Sequence, residues 1–266
     1  MPIRGVTLKR LNLQARDAER FIELLDGLLL GDGSIEKCGS INVGQSVKRA
    51  GWLRQIKRQL DAFGCETRLT AVGKGSTHVI RGAAVQTGET MRLRTRVYEE
   101  LKRQRRRWYP FGVKRVPTDV RVTAISIAHW FAGDGVGGRS GELMFCTNGF
   151  ARPDVERLVR ALPVVASLRS IRSRPGQYII AINRRNEAMT MAKMIRRLMP
   201  TCCRYKLRFV RPTRGRREAM PEATVREVRR LYATRKWTQQ MIADKFTITQ
   251  SDVSDVVRRV TFKNVA

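Results

Sequence analysis

Two aspartates stand in matched settings. Asp32 and Asp134 each follow an apolar run at helical spacing, Phe21 to Gly31 and Ala124 to Gly133, and each is held in a Gly-Asp-Gly step. They lie 102 positions apart, which points to an internal duplication. A carboxylate at the end of a helix faces the negative pole of the macrodipole, a placement disfavoured by roughly 0.3–1 kcal/mol. Its recurrence at equivalent points of a repeat implies a function that outweighs the cost. Small residues one turn apart, Gly27 and Gly31 in the first run and Ala128 and Ala132 in the second, would let two helices pack side by side. Their ends would then bring the carboxylates together, and such a pair repels unless divalent cations bridge it. Hard oxygen ligands with open positions suit magnesium. On a DNA backbone such ions would activate water and stabilise the leaving oxygen, the two-metal route to phosphodiester hydrolysis.

The spacing predicts a buried helix closing on each acid, the first from about Asp17 to Gly31. An extended, turn-rich stretch follows each acid and ends in an amide residue. Gln45 lies 13 residues past Asp32, and Asn148 lies 14 past Asp134. Each half then shows an amphipathic helix (about 49–63; 152–162) and two strand-like stretches (67–72 and 77–85; 167–172 and 177–182). A further helix closes each half (about 91–106; 186–198). The expected class is α+β, with the order helix, two strands, helix, two strands, helix occurring twice. Residues 1–120 read as the first half and 121–210 as the second. Residues 211–223 form a basic linker with Gly and Pro, and 224–266 a separate small helical module.

The 266 residues include 53 Lys and Arg against 23 Asp and Glu, a formal charge of +30, and 42% hydrophobic residues, enough for a packed core. So large a charge opposes folding through self-repulsion unless a polyanion neutralises it, and DNA, RNA and anionic membrane are the candidates, of which the carboxylate pair suits double-stranded DNA. No apolar run reaches the roughly 18 residues of a membrane span, and no membrane partner is expected. Five cysteines without a CxxC pair and only two histidines exclude a disulfide framework and a zinc finger. They fit a reducing, cytoplasmic setting. His129, on an apolar helix, reads as a packed residue rather than a ligand.

The segments Leu25–Gly33 and Ile127–Gly135 resemble the paired motifs of the double-motif LAGLIDADG homing endonucleases. Leu25, Gly27, Leu28, Leu29, Asp32 and Gly33 stand at family positions in the first; the second has Trp130 and Phe131 before the acid and His129 where the family has Gly. Trp108 to Pro117 resembles the segment leading into the second motif, and Pro200 to Leu207 the end of the second repeat. The likeness implies a pseudo-twofold monomer with a duplicated αββαββα core, whose two saddle-shaped antiparallel sheets grip a long DNA site in the major groove. It implies a metal-assisted, staggered double-strand cut leaving 3′ overhangs. It further implies Asp32 and Asp134 as the metal-binding acids, with Gly31 and Gly133 beside them in the metal site. Gln45 matches the amide that helps position water, Asn148 takes its place in the second half, and Lys114 and Lys206 match the supporting basic residues.

The stretch Arg92–Arg115 holds ten Lys and Arg with two Glu, and Arg105, Arg106 and Arg107 within it are expected to contact phosphates. Base readout is expected from strand and turn residues such as Glu36, Lys37, Asn42, Arg68, Thr70, Arg169, Arg172 and Arg174. About 35 residues of the module from Thr224 resemble the helix-turn-helix of resolvase-like and transcription-factor families, with Thr238 and Thr249 as caps and Thr247 where Gly is usual at the turn. The implied recognition helix offers Gln250, Ser251, Asp252 and Ser254 near its start. Two other readings stand beside the endonuclease: a non-catalytic DNA-binding regulator, and a maturase that binds its host intron RNA. The presence of both acids favours the enzyme.

Overall fold

The computed structural model describes residues 8–73, 77–80, 83–86, 88–210 and 220–265. The chain divides into two compact units, Met1–Arg211 and Pro212–Ala266. In the first unit, α1 (Ala15–Leu30) leads into strands β1 (Gly33–Ile35) and β2 (Ile41–Ser46), then α2 (Ala50–Ala62) and β3 (Thr67–Val72). A hairpin, β4 (Thr77–Ile80) and β5 (Ala83–Gln86), precedes β6 (Thr90–Thr95) and α3 (Glu99–Trp108). The second half repeats the plan with α4 (Ala124–Asp134), β7 (Gly135–Gly137), β8 (Leu143–Cys146), α5 (Arg152–Ala161), β9 (Ser167–Ser170), β10 (Tyr178–Ile182) and α6 (Arg185–Arg196). Each half therefore carries a four-stranded antiparallel sheet of the same topology, β1-β2-β6-β3 and β7-β8-β10-β9. Among the described residues no helix is long and apolar enough to cross a membrane.

Two sequence expectations are corrected. The strand-like stretch 77–85 is the separate β4–β5 hairpin, and the strand that completes the first sheet is β6, in a region the sequence reading gave to a helix from residue 91. Thr90-Met-Arg-Leu-Arg-Thr95 alternates exposed and inward residues with period two, with Leu93 fully buried. Helix α3 then starts at Glu99.

The core lies between the sheets and the helices, centred on α1 and α4, which pack side by side. A β-carbon on Gly27 would lie 2.4 Å from the Ser126 carbonyl oxygen, so only glycine allows the helix backbones to come this close. Helix α4 is fixed at its start by a capping box, in which Thr123 and Ser126 each bond the other's backbone. Trp130 and Phe131 anchor it against Phe145 of β8, with ring centroids 4.1 and 5.3 Å apart. Trp52 of α2 donates Nε1–H to His129 Nδ1 of α4 at 3.3 Å, linking the halves. Burial holds that imidazole at about 4, so it is neutral and can accept the bond.

The segment 107–121 joins the halves and is anchored to both. Asp26 of α1, fully buried, receives Arg107 through both guanidinium nitrogens at 2.5 and 3.0 Å, Trp108 Nε1 at 2.9 Å and the Arg121 backbone N–H at 2.7 Å. Asp154 of α5 receives Arg115 at 2.7 Å, the Val116 N–H at 3.3 Å and Arg157 at 2.6 Å. Such carboxylates are stable in the interior because four or so donors replace their hydration.

The second unit is built from α7 (Glu222–Ala233), α8 (Gln239–Phe246) and α9 (Gln250–Val257). Val225, Val228, Ile242, Ala243, Val253 and Val256 form its core. The module expected from 224 begins two residues earlier, and residues 211–219 of the expected linker lie outside the described residues. Thr247 takes the left-handed conformation (φ 53°) that the turn between α8 and α9 requires. Thr238 and Thr249 accept from Met241 N and Asp252 N, as helix caps.

Candidate active site

The two acids meet at the ends of α1 and α4. Asp32 lies just past α1 and Asp134 is the last residue of α4. A β-carbon on Gly133 would sit 3.0 Å from Asp32 Oδ2, so the first carboxylate lies against the end of the second helix. Burial raises the Asp134 carboxyl to about 6, and the charge of Asp32 adds to the effect.

Two lysines support this crowding from behind. Lys114 Nζ donates to Gly33 O at 2.8 Å and Gly31 O at 3.4 Å. Lys206, almost fully buried, donates to the carbonyls of Phe131, Ala132 and Gly133 at 3.2, 2.8 and 2.7 Å. Each lysine thus occupies the carbonyls at the end of one motif helix, where positive charge offsets the macrodipole that the acids oppose. Burial lowers both ammonium groups to about 8, while the nearby carboxylates hold them up.

Gln45, on the inward face of β2, donates Nε2 to Asp32 Oδ2 at 2.5 Å. Its Oε1 accepts from Arg49 at 3.3 Å, and Arg49 also donates to the Tyr205 hydroxyl at 3.1 Å. Arg49 and Tyr205 were not singled out from the sequence. A cation four residues past Gln45 was the available signal, and Tyr205 adjoins Lys206.

Asn148 does not repeat the role of Gln45. Gly33 pairs with Val43 and Gly135 with Phe145, so the position equivalent to Gln45 is Thr147. The Thr147 hydroxyl is bound to the Tyr178 carbonyl at 2.8 Å, and Asn148, in the turn beyond β8, donates to Gln177 at 3.0 Å. The expectation that counted residues from acid to amide is corrected by the sheet register. Of the two acids, only Asp32 has a side-chain amide on its carboxylate among the described residues.

The donor set fits a hard divalent cation. Among the described residues neither Asp32 nor Asp134 forms an ion pair, and no cluster of three or more His, Cys, Asp or Glu offers an all-protein cage. Two carboxylates with free oxygens, completed by water and phosphate oxygens, match the way magnesium is held. The Gly31 and Gly133 carbonyls already accept from the lysines, and each retains a second lone pair.

The basic residues divide into several groups. On the first sheet Asn42, Arg94 and Arg68 form one cross-strand row, and Lys37 is exposed in the β1–β2 turn. Arg169 is exposed on edge strand β9, and Arg172 and Arg174 on the turn after it. Arg106 is 68% exposed with a long 3.8 Å contact to Glu99. Arg107 is corrected: its guanidinium is fixed on Asp26 and Asp119, and it is only 17% exposed. Arg105 likewise lies 4.1 Å over the Tyr109 ring and donates to Ile35 O. In the second unit Ser251 is exposed and Ser254 half-buried, and Gln250 donates to Gln239 at 3.1 Å.

The chain is similar to known proteins. The chain is 28% identical over 190 residues to an uncharacterized protein, MJ1098, of Methanocaldococcus jannaschii, covering 69% of this chain and 72% of that one. Its fold is similar to the homing endonuclease I-WcaI, solved bound to its DNA recognition sequence, with a TM-score of 0.57 at 20% identity, covering 74% of this chain and 96% of that one. Residues 22–189, which include both acids and both sheets, match the LAGLIDADG DNA endonuclease family, and the chain belongs to that family.

Proposed function

We propose that this chain is a site-specific DNA endonuclease that hydrolyses one phosphodiester in each strand of a long duplex target, with a divalent metal and a staggered cut. The observation that carries the reading is the pair of carboxylates held together at abutting helix ends, neither of them in an ion pair among the described residues. The chain's charge of +30 supplies attraction for a polyanion. Bound magnesium would supply an activated water and stabilise the leaving oxygen.

The protein's own groups do the positioning. Lys114 and Lys206 fix the helix ends so that Asp32 and Asp134 keep their separation, and their charge opposes the burial that raises the Asp134 carboxyl. Gln45 holds one oxygen of Asp32 and leaves the other for the metal. Arg49 and Tyr205 brace that amide. Both acids belong to one chain, so a monomer suffices. In the second unit, the α8–turn–α9 arrangement supports a helix-turn-helix reading, with Gln250, Ser251 and Ser254 at the start of α9 offered to a major groove. The reducing-compartment cysteine usage supports an intracellular, DNA-associated location.

Selection of bound duplexes from a random library in calcium, followed by addition of magnesium, tests the reading. Wild type should cut the enriched site with staggered 3′ ends. Asp32→Asn and Asp134→Asn should bind within a few-fold of wild type and fail to make the double-strand cut. Enrichment of one site with no cutting by wild type would make the chain a non-catalytic DNA binder.

A further inference from the structure

The two sheets are equivalent in topology but opposite in the chemistry of their open faces. Strand register aligns them residue by residue, because Gly33, Val43, Leu93 and Leu69 form an inward row across the first sheet and Gly135, Phe145, Ile180 and Leu168 the same row across the second. The neighbouring outward rows can then be compared. Where the outward row of the first sheet is Ser34, Asn42 and Arg94, that of the second is Val136, Met144 and Ala181, with Ala181 itself buried. Where the first has Arg92, the second has Ile179. Val136 is 42% exposed, and Met144 and Ile179 are half-buried. Polar character returns at the ends of the face, with Ser167 and Arg169 on edge strand β9 and the turn residues Arg139, Arg172 and Arg174.

An apolar strip on the open face of a sheet, bordered by exposed arginines, suits a surface that is anionic at its rim and apolar within. On the floor of the DNA major groove the thymine 5-methyl group is the apolar feature, whereas G·C pairs present only hydrogen-bonding groups there. Apolar side chains over G·C would leave those groups desolvated and unpaired. We infer that the second sheet reads a thymine-rich half-site by methyl contacts from Val136, Met144 and Ile179, with Arg169, Arg172 and Arg174 on the phosphates, while the first sheet reads its half-site by hydrogen bonds. This deepens the proposed function and rests on it.

The test alters the DNA rather than the protein. In the site selected by the full chain in calcium, each thymine of the half-site under the second sheet is replaced by uracil, which deletes only the methyl group. Binding should weaken about fourfold for each contacted methyl. The same replacement in the other half-site should change affinity by less than about twofold. Reselection with Met144→Arg should shift one position of the second half-site from thymine toward guanine and leave the first half-site unchanged. A second half-site that tolerates uracil throughout, or that is selected rich in G·C, overturns the inference while the endonuclease reading stands. Failure to enrich any duplex would remove both.

Discussion

At the scale of single residues, Asp134 is held in a form the free protein disfavours. Its carboxyl sits at about 6 in the folded chain against an ordinary 3.8, chiefly because it is buried. Between those values the native state keeps a proton that the unfolded chain has released, so stability falls as pH rises through this window and stays lower above it. Without divalent cations, Asp134→Asn should therefore be more stable than wild type at pH 7, by on the order of 1–3 kcal/mol, with the difference vanishing toward pH 4. Urea unfolding of both proteins across that range checks this, and magnesium should narrow the gap at pH 7 by binding only the wild-type site. The same scale shows what a sequence can and cannot disclose. The acids were legible because an apolar run and its Gly-Asp-Gly ending are local features. Gln45 and Asn148 looked equivalent by counting, but which residue faces an acid is decided by cross-strand pairing. Arg107 looked like a phosphate contact because nothing local reveals that Asp26, 81 positions earlier, is its partner.

At the scale of elements, the contact between α1 and α4 sets the distance between the acids. Gly27 is where that contact is tightest, and the atom a methyl group would meet there is backbone that cannot swing aside. Gly27→Ala should cost at least about 1–3 kcal/mol in a denaturant melt, as overpacking of a close core does. Cutting should fall further than the lost stability explains, because the helix ends shift with the helices. A core substitution of matched stability cost in the same unit but away from the helix pair, such as Leu158→Ala on α5, is the control. The motif helices were readable from period and composition alone. Strand β6 was not, since Met91-Arg-Leu-Arg adjoins a true helix and arginine and leucine are good helix formers; its pairing on both sides with β2 and β3 decides the matter.

At the scale of the whole molecule, the chain consists of two units with separate cores, Met1–Arg211 and Pro212–Ala266. Deleting 212–266 should leave a cooperatively melting protein that still cuts in magnesium, seen by calorimetry and a cleavage assay. Its affinity should fall, and the slope of log affinity against log salt should lessen by about 0.9 for each phosphate contact removed. An unchanged affinity would show that the tail is not a DNA contact. Within the larger unit, the segment 107–121 belongs to both halves at once, held by Asp26 on one side and Asp154 on the other. The duplication therefore consists of cassettes that can be exchanged only at a junction lying between those two anchors. A hybrid of two relatives joined before Arg107 would part Asp26 from its guanidinium, and one joined beyond Arg115 would part Asp154 from one of its own. New combinations of half-site preference would have to be joined within 108–114, or leave both halves in place and transplant only the outward rows of the sheets.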